Sequence, residues 1–275
     1  MKILITGASS YVGAKLYADL KLKYDVTGTY NTNKLFPELI HLDLSKEKEI
    51  AQVINSIMPN VIIHVAANAS AIWCDQNPTE ATALNETATQ YIVNTANKID
   101  SKVVYISSFA AITATNLYSK TKANSEQLVK QAKNGWLILQ PSLILGLSPN
   151  TTNDRPFNRI LKNIMHKTPA VYDTSWKFQA TYLKHLEQVL EQCLTRNIYG
   201  EVLPVAIPEL KSRYDFAKDI LNEFNINAKG EDKKDLTPIF ENNLSKLKQL
   251  NLPTYTYNEM IQEIKKEIQN YLSTN

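Results

Sequence analysis

Cysteine is nearly missing from this chain of 275 residues, which has only Cys74 and Cys193, far apart and in no CxxC spacing. Their scarcity excludes a disulfide framework and a cysteine-based metal site, and it suits a reducing compartment. The four histidines are His41, His64, His166 and His185, and none stands at metal-ligand spacing from a carboxylate or cysteine. His64 falls in an apolar strand-like run, where a packed structural role is expected. Long apolar runs are missing too: no stretch approaches the ~18 unbroken apolar residues of a membrane span. The first residues run straight into a glycine turn and do not read as a secretory signal. No charge of one sign dominates, because the net charge is only +3 and there is no basic tail or basic stripe interleaved with aromatics. Nucleic acid therefore has nothing to hold. The reading that remains is a cytoplasmic protein without membrane or nucleic-acid partners. Its 44% hydrophobic content is ample for a core, and its length allows one large domain or a domain with a smaller lobe.

What is present is alternation. Apolar runs at 2–6, 24–30, 38–42, 60–66, 102–107 and 136–141 predict strands, and amphipathic stretches at 11–22, 46–58, 78–98 and 118–133 predict helices. Strand–helix alternation argues for an α/β fold with a Rossmann-type, doubly wound parallel sheet. Ser45 is the expected N-cap of the second helix, with Glu47 and Glu49 in its first turn. From about 147 the texture changes: SPNTTNDRP reads as loop and FNRILKNIM as helix. Helices at 184–196, 212–223 and 258–272 and a strand at 201–206 follow. The expected division is a dinucleotide-binding domain over 1–146 and a smaller C-terminal α/β substrate lobe over 147–275. Segments such as 201–206 are expected to return to the first domain.

Two segments carry chemistry. Lys2–Thr6, then Gly7, then Val12, Leu16 and Leu20 at helical spacing make a strand, a tight turn and a helix. This is the context of a dinucleotide fingerprint, in which the helix N-terminus binds a pyrophosphate. The spacing is Thr6-Gly7-x-x-Ser10-x-x-Gly13, with Tyr11 and Val12 opening the helix. Ser10 stands where a middle glycine is usual; its hydroxyl either donates to a phosphate or pushes the cofactor outward. The competing reading is an ordinary strand–helix turn with glycines for geometry.

The second segment is Tyr118-Ser119-Lys120-Thr121-Lys122, soon after Val103-Val104-Tyr105-Ile106-Ser107-Ser108. YxxxK recurs at Tyr17–Lys21, Tyr30–Lys34 and Tyr214–Lys218, but only Tyr118–Lys122 follows a strand ending in two serines and opens a helix. At i and i+4 the two side chains share a helix face. A free tyrosine titrates near ~10, too high for acid–base work at neutral pH, and an adjacent ammonium lowers that value. Ser108 can hydrogen-bond a substrate oxygen, Tyr118 can move its proton, and Lys122 can tune Tyr118 and hold a nicotinamide ribose. An exposed Tyr/Lys pair at a helix start is the bland alternative.

These segments resemble the extended short-chain dehydrogenase/reductases and, within them, the dTDP-4-dehydrorhamnose reductase group of sugar-nucleotide reductases. His41-Leu42-Asp43-Leu44-Ser45 is similar to the segment whose acid and next residue sit by the adenine. His64-Val65-Ala66-Ala67, followed by Asn68, is similar to the strand end against the cofactor. Cys74-Asp75-Gln76-Asn77-Pro78 through Leu84-Asn85 is similar to a helix of that family. Phe178-Gln179-Ala180-Thr181-Tyr182 and the closing LPTYTYNEMIQEIKKEI resemble its C-terminal lobe. The resemblance implies catalytic Ser108, Tyr118 and Lys122. It implies a cofactor site of Gly7, Ser10, Tyr11, Val12, Gly13, Lys34, Asp43, Leu44, Ala66, Ala67, Asn68, Asn85, Ser107, Tyr118 and Lys122. It also implies reduction of a nucleotide-linked 4-keto deoxysugar, in a chain that can form a homodimer.

Departures bear on the substrate. Ser10 replaces a glycine, Gln140 stands where the family's strand usually ends in arginine, Leu143 replaces an aromatic, and Thr237-Pro238 replaces an arginine–proline pair. The link from Ser108 to Tyr118 is short. The second strand ends Thr27-Gly28-Thr29-Tyr30-Asn31 with no acid to bind ribose hydroxyls, and Lys34 follows. A lysine there can meet a 2′-phosphate, which points to NADP with NAD allowed; a solvated loop lysine is the alternative. Arg155 and Arg159 are candidates for substrate phosphates, because arginine is scarce here and suits bidentate phosphate contacts. Ser142 and Trp176 complete the substrate candidates, and Trp176 and Phe178 can stack on a base or pack in the core. The rival function is a non-catalytic, cofactor-binding regulatory or scaffold subunit of the same fold.

Overall fold

The structure, a computed structural model, describes residues 1–274. The chain divides into two compact units, one of residues 1–140 with 190–203 and one of 141–189 with the residues from 204 onward.

The first unit alternates β1 (Lys2–Thr6), α1 (Tyr11–Leu20), β2 (Asp25–Tyr30), β3 (Ile40–His41), α2 (Glu47–Ile57) and β4 (Val61–His64). It continues with α3 (Ala71–Gln76), α4 (Pro78–Thr82), a π-helical turn over Ala83–Thr87, and α5 (Ala88–Ala96). Then come β5 (Lys102–Ile106), α6 (Ala110–Thr113), α7 (Leu117–Val129) and β6 (Trp136–Pro141). β1 pairs in parallel with β2 and β4, β4 with β5, and β5 with β6, in registers such as Ile3↔Val61 and Val61↔Lys102. These strands are apolar on both faces because helices cover both faces of a parallel sheet. On one side Leu4, Ile62, Val103 and Ile138 meet Ile50, Ile54, Ile92 and Val129 of the helices.

Beyond Pro141 come β7 (Ile144–Leu145), α8 (Pro156–His166), β8 (Ala170–Asp173), β9 (Lys177–Gln179), β10 (Thr181–Tyr182) and α9 (Leu183–Thr195), which passes into the first unit at Leu190. β11 (Glu201–Val205), in the first unit as far as Leu203, is followed by β12 (Leu210–Ser212), α10 (Arg213–Leu221), β13 (Ala228–Glu231), α11 (Ser245–Gln249) and α12 (Tyr257–Thr274). β11 lies beside β6, which completes a seven-stranded sheet in the order β11-β6-β5-β4-β1-β2-β3. The order reverses between β1 and β4, the switch point where open α/β sheets bind ligands. The remaining strands form small pairs: β7 with β10, β9 with β12 and β8 with β13.

Four expectations are corrected. The unit boundary falls at Gln140/Pro141, before Gly146, because Ile144 and Leu145 leave the sheet to pair with Thr181 and Tyr182. The returning segment is the longer 190–203. Ser45 does not cap α2: Lys46 holds the N-cap position with no side-chain cap, and the Ser45 hydroxyl donates to Asp43 Oδ1 at 2.7 Å. The helix expected over 78–98 is interrupted by the π-turn, and α3 precedes it as a separate helix. Pro78 and Asn77 separate the two, since proline opens a new helix more readily than it continues one.

The turn after β1 depends on two missing side chains. Gly7 has φ +71°, and a Cβ there would lie 2.9 Å from Ala66 Cα. A Cβ on Gly13 would lie 2.1 Å from the Gly7 carbonyl oxygen. Both neighbours are backbone and cannot swing away. Gly13→Val is therefore expected to cost ~1–3 kcal/mol or more, the range for overpacking. A thermal melt should show a clearly lower Tm, and an unchanged Tm would contradict this packing.

Candidate active site

The α1 entry is built for close approach. Ser10 is the N-cap of α1, and its hydroxyl accepts from the Gly13 N–H at 3.0 Å. The serine that replaces the usual glycine thus serves the helix start, as N-cap serines do. Its O–H still has a proton to donate. The Ala8 N–H donates to the Thr29 carbonyl and the Gly7 N–H to the Thr29 hydroxyl, which ties the turn to β2. With no side chain on Gly7 or Gly13, the positive end of α1 stands open to an anion.

Behind this turn, His64 ends β4 fully buried. Its Nδ1 is 2.7 Å from the Thr6 hydroxyl and its Nε2 3.2 Å from the Thr89 hydroxyl. Burial, aided by the Lys122 charge, lowers its pKa from 6.5 to about 3, so the ring is neutral. The segment that follows β4 is held by Asn85, which is 1% exposed. Asn85 accepts from the Asn68 N–H at 2.8 Å and donates to the Asn68 carbonyl at 3.0 Å. Asn85 sits in the π-turn, and the Ser125 hydroxyl takes its carbonyl at 2.6 Å. Asn85 is therefore a brace for the Ala66–Asn68 backbone; its side chain has no amide group left to meet a ligand.

The Tyr118–Lys122 pair lies on α7, whose start is fixed by a capping box between Asn116 and Ser119. An Asp75 carboxylate oxygen accepts from the Leu117 N–H at 3.1 Å, a favourable charge at a helix N-terminus. Tyr118 thus sits in the first turn, half-buried, at a defined height. Lys122, one turn on, is 2% exposed. Its ammonium donates to the Ile106 carbonyl at 2.6 Å and stands 4.1 Å from the centre of the Tyr105 ring. Burial pulls its pKa from 10.5 down to about 7, against the opposing pull of Glu126. Ser108 is half-buried at the end of β5, and its hydroxyl accepts from the Ala110 N–H at 3.2 Å. The short link to Tyr118 is filled by α6 and a left-handed residue, Ala114, at φ +47°.

Other expected cofactor residues contribute differently than their side chains suggest. Tyr11 and Leu44 are buried in the core at 3% and 5% exposure, which leaves only their backbones for a ligand. The Ser107 hydroxyl is spent on Glu126. Asp43 accepts from the Ser45 hydroxyl and N–H and pairs with Lys46, and the Ser45 bonds hold its carboxyl below the usual range. Lys34 is exposed beyond β2, with its ammonium 5.5 Å from the Tyr30 ring centre.

The second unit has its own cavity of about 380 Å³. Leu143, Leu145, Ile160, Phe178 and Phe216 supply apolar wall, and Arg159, Arg213 and Lys233 supply positive charge. Arg159 is already clamped by Asp154 through two bonds of 2.7 Å. Arg155, Ser142 and Trp176 do not line this cavity. Arg155 precedes α8 as its N-cap residue, and the Ser142 N–H donates to the Thr181 hydroxyl. Trp176 stacks on Phe178 at 4.6 Å, with the Arg213 guanidinium 5.0 Å from its ring centre. Asp173 organises the rim. Burial opposes its ionisation, but the Ser175 hydroxyl and the N–H groups of Ser175, Trp176 and Lys233 outweigh burial and keep its carboxyl well below the usual range.

Residues 1–256 match the RmlD substrate binding domain family. The chain belongs to that family. It is 27% identical over 241 residues to the dTDP-4-dehydrorhamnose reductase of Aggregatibacter actinomycetemcomitans, covering 81% of this chain and 79% of that protein. It is 28% identical over 159 residues to methionine adenosyltransferase 2 subunit beta of Xenopus laevis, a match covering 53% of this chain. That match spans about half, 47%, of the Xenopus protein. The crystal structure of Bacillus anthracis dTDP-4-dehydrorhamnose reductase in complex with NADP superposes with a TM-score of 0.81 at 20% identity, covering 100% of this chain and 99% of that one. At that identity the likeness shows a shared fold. Among the described residues no group of three His, Cys, Asp or Glu could hold a metal, and no helix is long and apolar enough to cross a membrane.

Sequence reasoning missed several residues in each unit. Asp75, Asn116 and Glu126 act on α7 or beside it, and Arg213 and Lys233 join the second cavity. Asn116-x-x-Ser119 is a readable capping signal. The others meet their partners across the fold, so no local spacing announces them. Neutral His64 has a consequence for stability. Its folded pKa lies below its unfolded one, so the unfolded chain binds more protons between pH 6.5 and about 3. Stability should fall as pH drops through that window, on the order of a few kcal/mol. His64→Gln should flatten that slope in denaturant titrations at successive pH values. An undiminished slope would mean that His64 does not titrate this way.

Proposed function

We propose that the protein is an NADP(H)-dependent reductase of the 4-keto group of a nucleotide-linked 6-deoxysugar, supplying a precursor for surface polysaccharide. The observation that carries this reading is the buried Lys122 ammonium one turn after Tyr118, on the helix that follows Ser108. An exposed Tyr/Lys pair of no consequence would not bury its cation, because desolvating a charge is costly.

The residues fit a dinucleotide. Gly7 and Gly13 keep the α1 N-terminus clear of side chains, and a Cβ at either position would collide with backbone. The N-terminus of α1 would hold the pyrophosphate, the backbones of Asp43 and Leu44 the adenine side, and Ala66–Asn68 the nicotinamide half. Lys34 would meet a 2′-phosphate, and no acid at the end of β2 competes for ribose hydroxyls, so NADP is favoured over NAD. Bound there, the cofactor would supply the hydride for the carbonyl carbon. The Ser108 hydroxyl donates to the carbonyl oxygen, and Tyr118 gives that oxygen its proton. Lys122 stabilises the phenolate left on Tyr118, since an opposite charge nearby favours the ionised form. Arg213 and Lys233, with Arg159, suit the diphosphate of a nucleotide sugar, and the apolar wall suits its base.

The similarity to the methionine adenosyltransferase β subunit is the basis of the rival reading, a binding subunit. An intact Ser108/Tyr118/Lys122 set favours the reductase, because a binder needs none of their proton chemistry. NADPH should raise the melting temperature more than NADH, by mass action on the native state. No shift with either at millimolar concentration would remove the dinucleotide reading. NADPH should be consumed with at least one member of a panel of nucleotide 4-keto-6-deoxysugars. Tyr118→Phe should then slow turnover by roughly 10²–10⁴-fold with NADPH binding retained, as expected for loss of a general acid. Lys122→Met should damage both turnover and NADPH affinity, and Tyr214→Phe should cost little. Retained activity in Tyr118→Phe, or an equal loss in Tyr214→Phe, would remove Tyr118 from that role, and no NADPH consumption with any member of the panel would support the subunit.

A further inference from the structure

Glu126 is a carboxylate buried to 7% exposure one turn beyond Lys122 on α7. Its Oε1 accepts from the Ser107 hydroxyl at 2.5 Å and from Gln140 Nε2 at 2.9 Å. Ser107 lies between Ile106, whose carbonyl anchors the Lys122 ammonium, and Ser108. Both hydrogen-bond donors to Glu126 are neutral. Both donors meet the same oxygen and neither carries a charge, so they do not offset the charge of the carboxylate, and a buried charge needs a counter-charge.

The groups facing Lys122 leave one choice. From β5 come the Tyr105 ring and the Ile106 carbonyl, and from β4 comes His64, neutral and fully buried. From α7 itself come Tyr118 and Glu126. Glu126 is the one carboxylate in this set. Residue 140 decides whether its charge is shared: an arginine there would take the carboxylate as a bidentate partner, whereas Gln140 only hydrogen-bonds it.

We propose that Glu126 is a positioning residue that keeps Lys122 a cation inside the first unit, and that neutral Gln140 reserves the Glu126 charge for this purpose. The inference deepens the reductase reading and rests on it for its functional meaning, but the charge pairing can be read without substrate or cofactor. The effect of an opposite charge one turn along the same helix face is the quantity at issue, set against burial, which pulls Lys122 the other way.

The test uses the full chain labelled with ¹³C at the lysine ε-carbons, with the Lys122 resonance assigned by its loss in Lys122→Met. Its chemical shift is followed against pH in wild type, E126Q, Q140R and Q140L. In E126Q the midpoint should fall by about one unit or more. In Q140R it should fall as well, because the guanidinium cancels the carboxylate; this variant carries the test if E126Q does not fold. Q140L removes a hydrogen bond without changing charge and should leave the midpoint in place. With substrate, the alkaline limb of kcat/KM should move to lower pH in E126Q. An unmoved midpoint in E126Q, or an equal fall in Q140L, would overturn the proposal. A midpoint that falls in E126Q, in a wild-type protein that consumes no NADPH with any 4-keto sugar, would support the pairing and remove the reductase reading alone.

Discussion

The site depends on keeping one ammonium out of water. Lys122 is almost completely buried, and an unpaired buried cation would lose its proton or open the fold. Three neighbours answer that demand: a carbonyl at 2.6 Å, an aromatic face at 4.1 Å and a buried carboxylate one turn along the helix. These partners come from β5 and α7, so the charge is held only where the strand end and the helix start are locked together. The capping box of Asn116 and Ser119 and the Ser107–Glu126 bond are the locks. Burial and pairing pull in opposite directions, and burial wins, which brings Lys122 to about 7. A lysine poised there responds to charges around it that an exposed lysine would not feel.

The sheet order explains why these pieces converge. β1, β4 and β5 are adjacent, and their carboxyl ends carry Gly7, the Ala66–Asn68 segment and Ser107–Ser108. Parallel pairing brings the three ends to one edge, at the switch point where α/β sheets bind ligands. Asn85 then spans from the π-turn to Asn68, and Ser125 of α7 takes the Asn85 carbonyl. A π-turn, which frees a carbonyl from the helix ladder, is well placed for such a bridge. Polar groups that look like ligands in the sequence, Asn85 and Ser107 among them, are spent on rigidity. Rigid placement is what proton transfer needs, because reach precedes pKa in acid–base chemistry.

The second unit uses a different economy. Its strands are short pairs with no extended sheet, and its cavity is walled by aromatic and aliphatic side chains with cations at the wall. Asp173 joins the turn at Ser175 and Trp176 to the distant Lys233 backbone through a single carboxylate. Arg213 is shared between Asp235 and the Trp176 face, and Arg159 is clamped by Asp154. These ion pairs are partly exposed, so they hold their cations loosely and can yield them to a stronger anion.

The sequence by itself determined the alternating elements, the α1 entry and the Tyr118–Lys122 helix face, because each is local. Strand–turn–helix spacing, a left-handed glycine and an i, i+4 pair are all written within a few residues. It also placed Gly13 in the fingerprint spacing, and the 2.1 Å approach of a Cβ there to the Gly7 carbonyl oxygen shows why a glycine stands at that position. It misassigned Ser45, whose hydroxyl serves Asp43, and it put the unit boundary at Gly146 because the β7–β10 pairing lies far apart along the chain. It could not show that Asn85 braces Asn68, that Arg213 and Lys233 share a cavity with Arg159, or that Gln140 reaches Glu126. Those facts were decided by tertiary structure alone. A side chain's role there is set by which distant backbone or charge packing brings within hydrogen-bond reach, and burial then fixes how strongly that neighbour is felt.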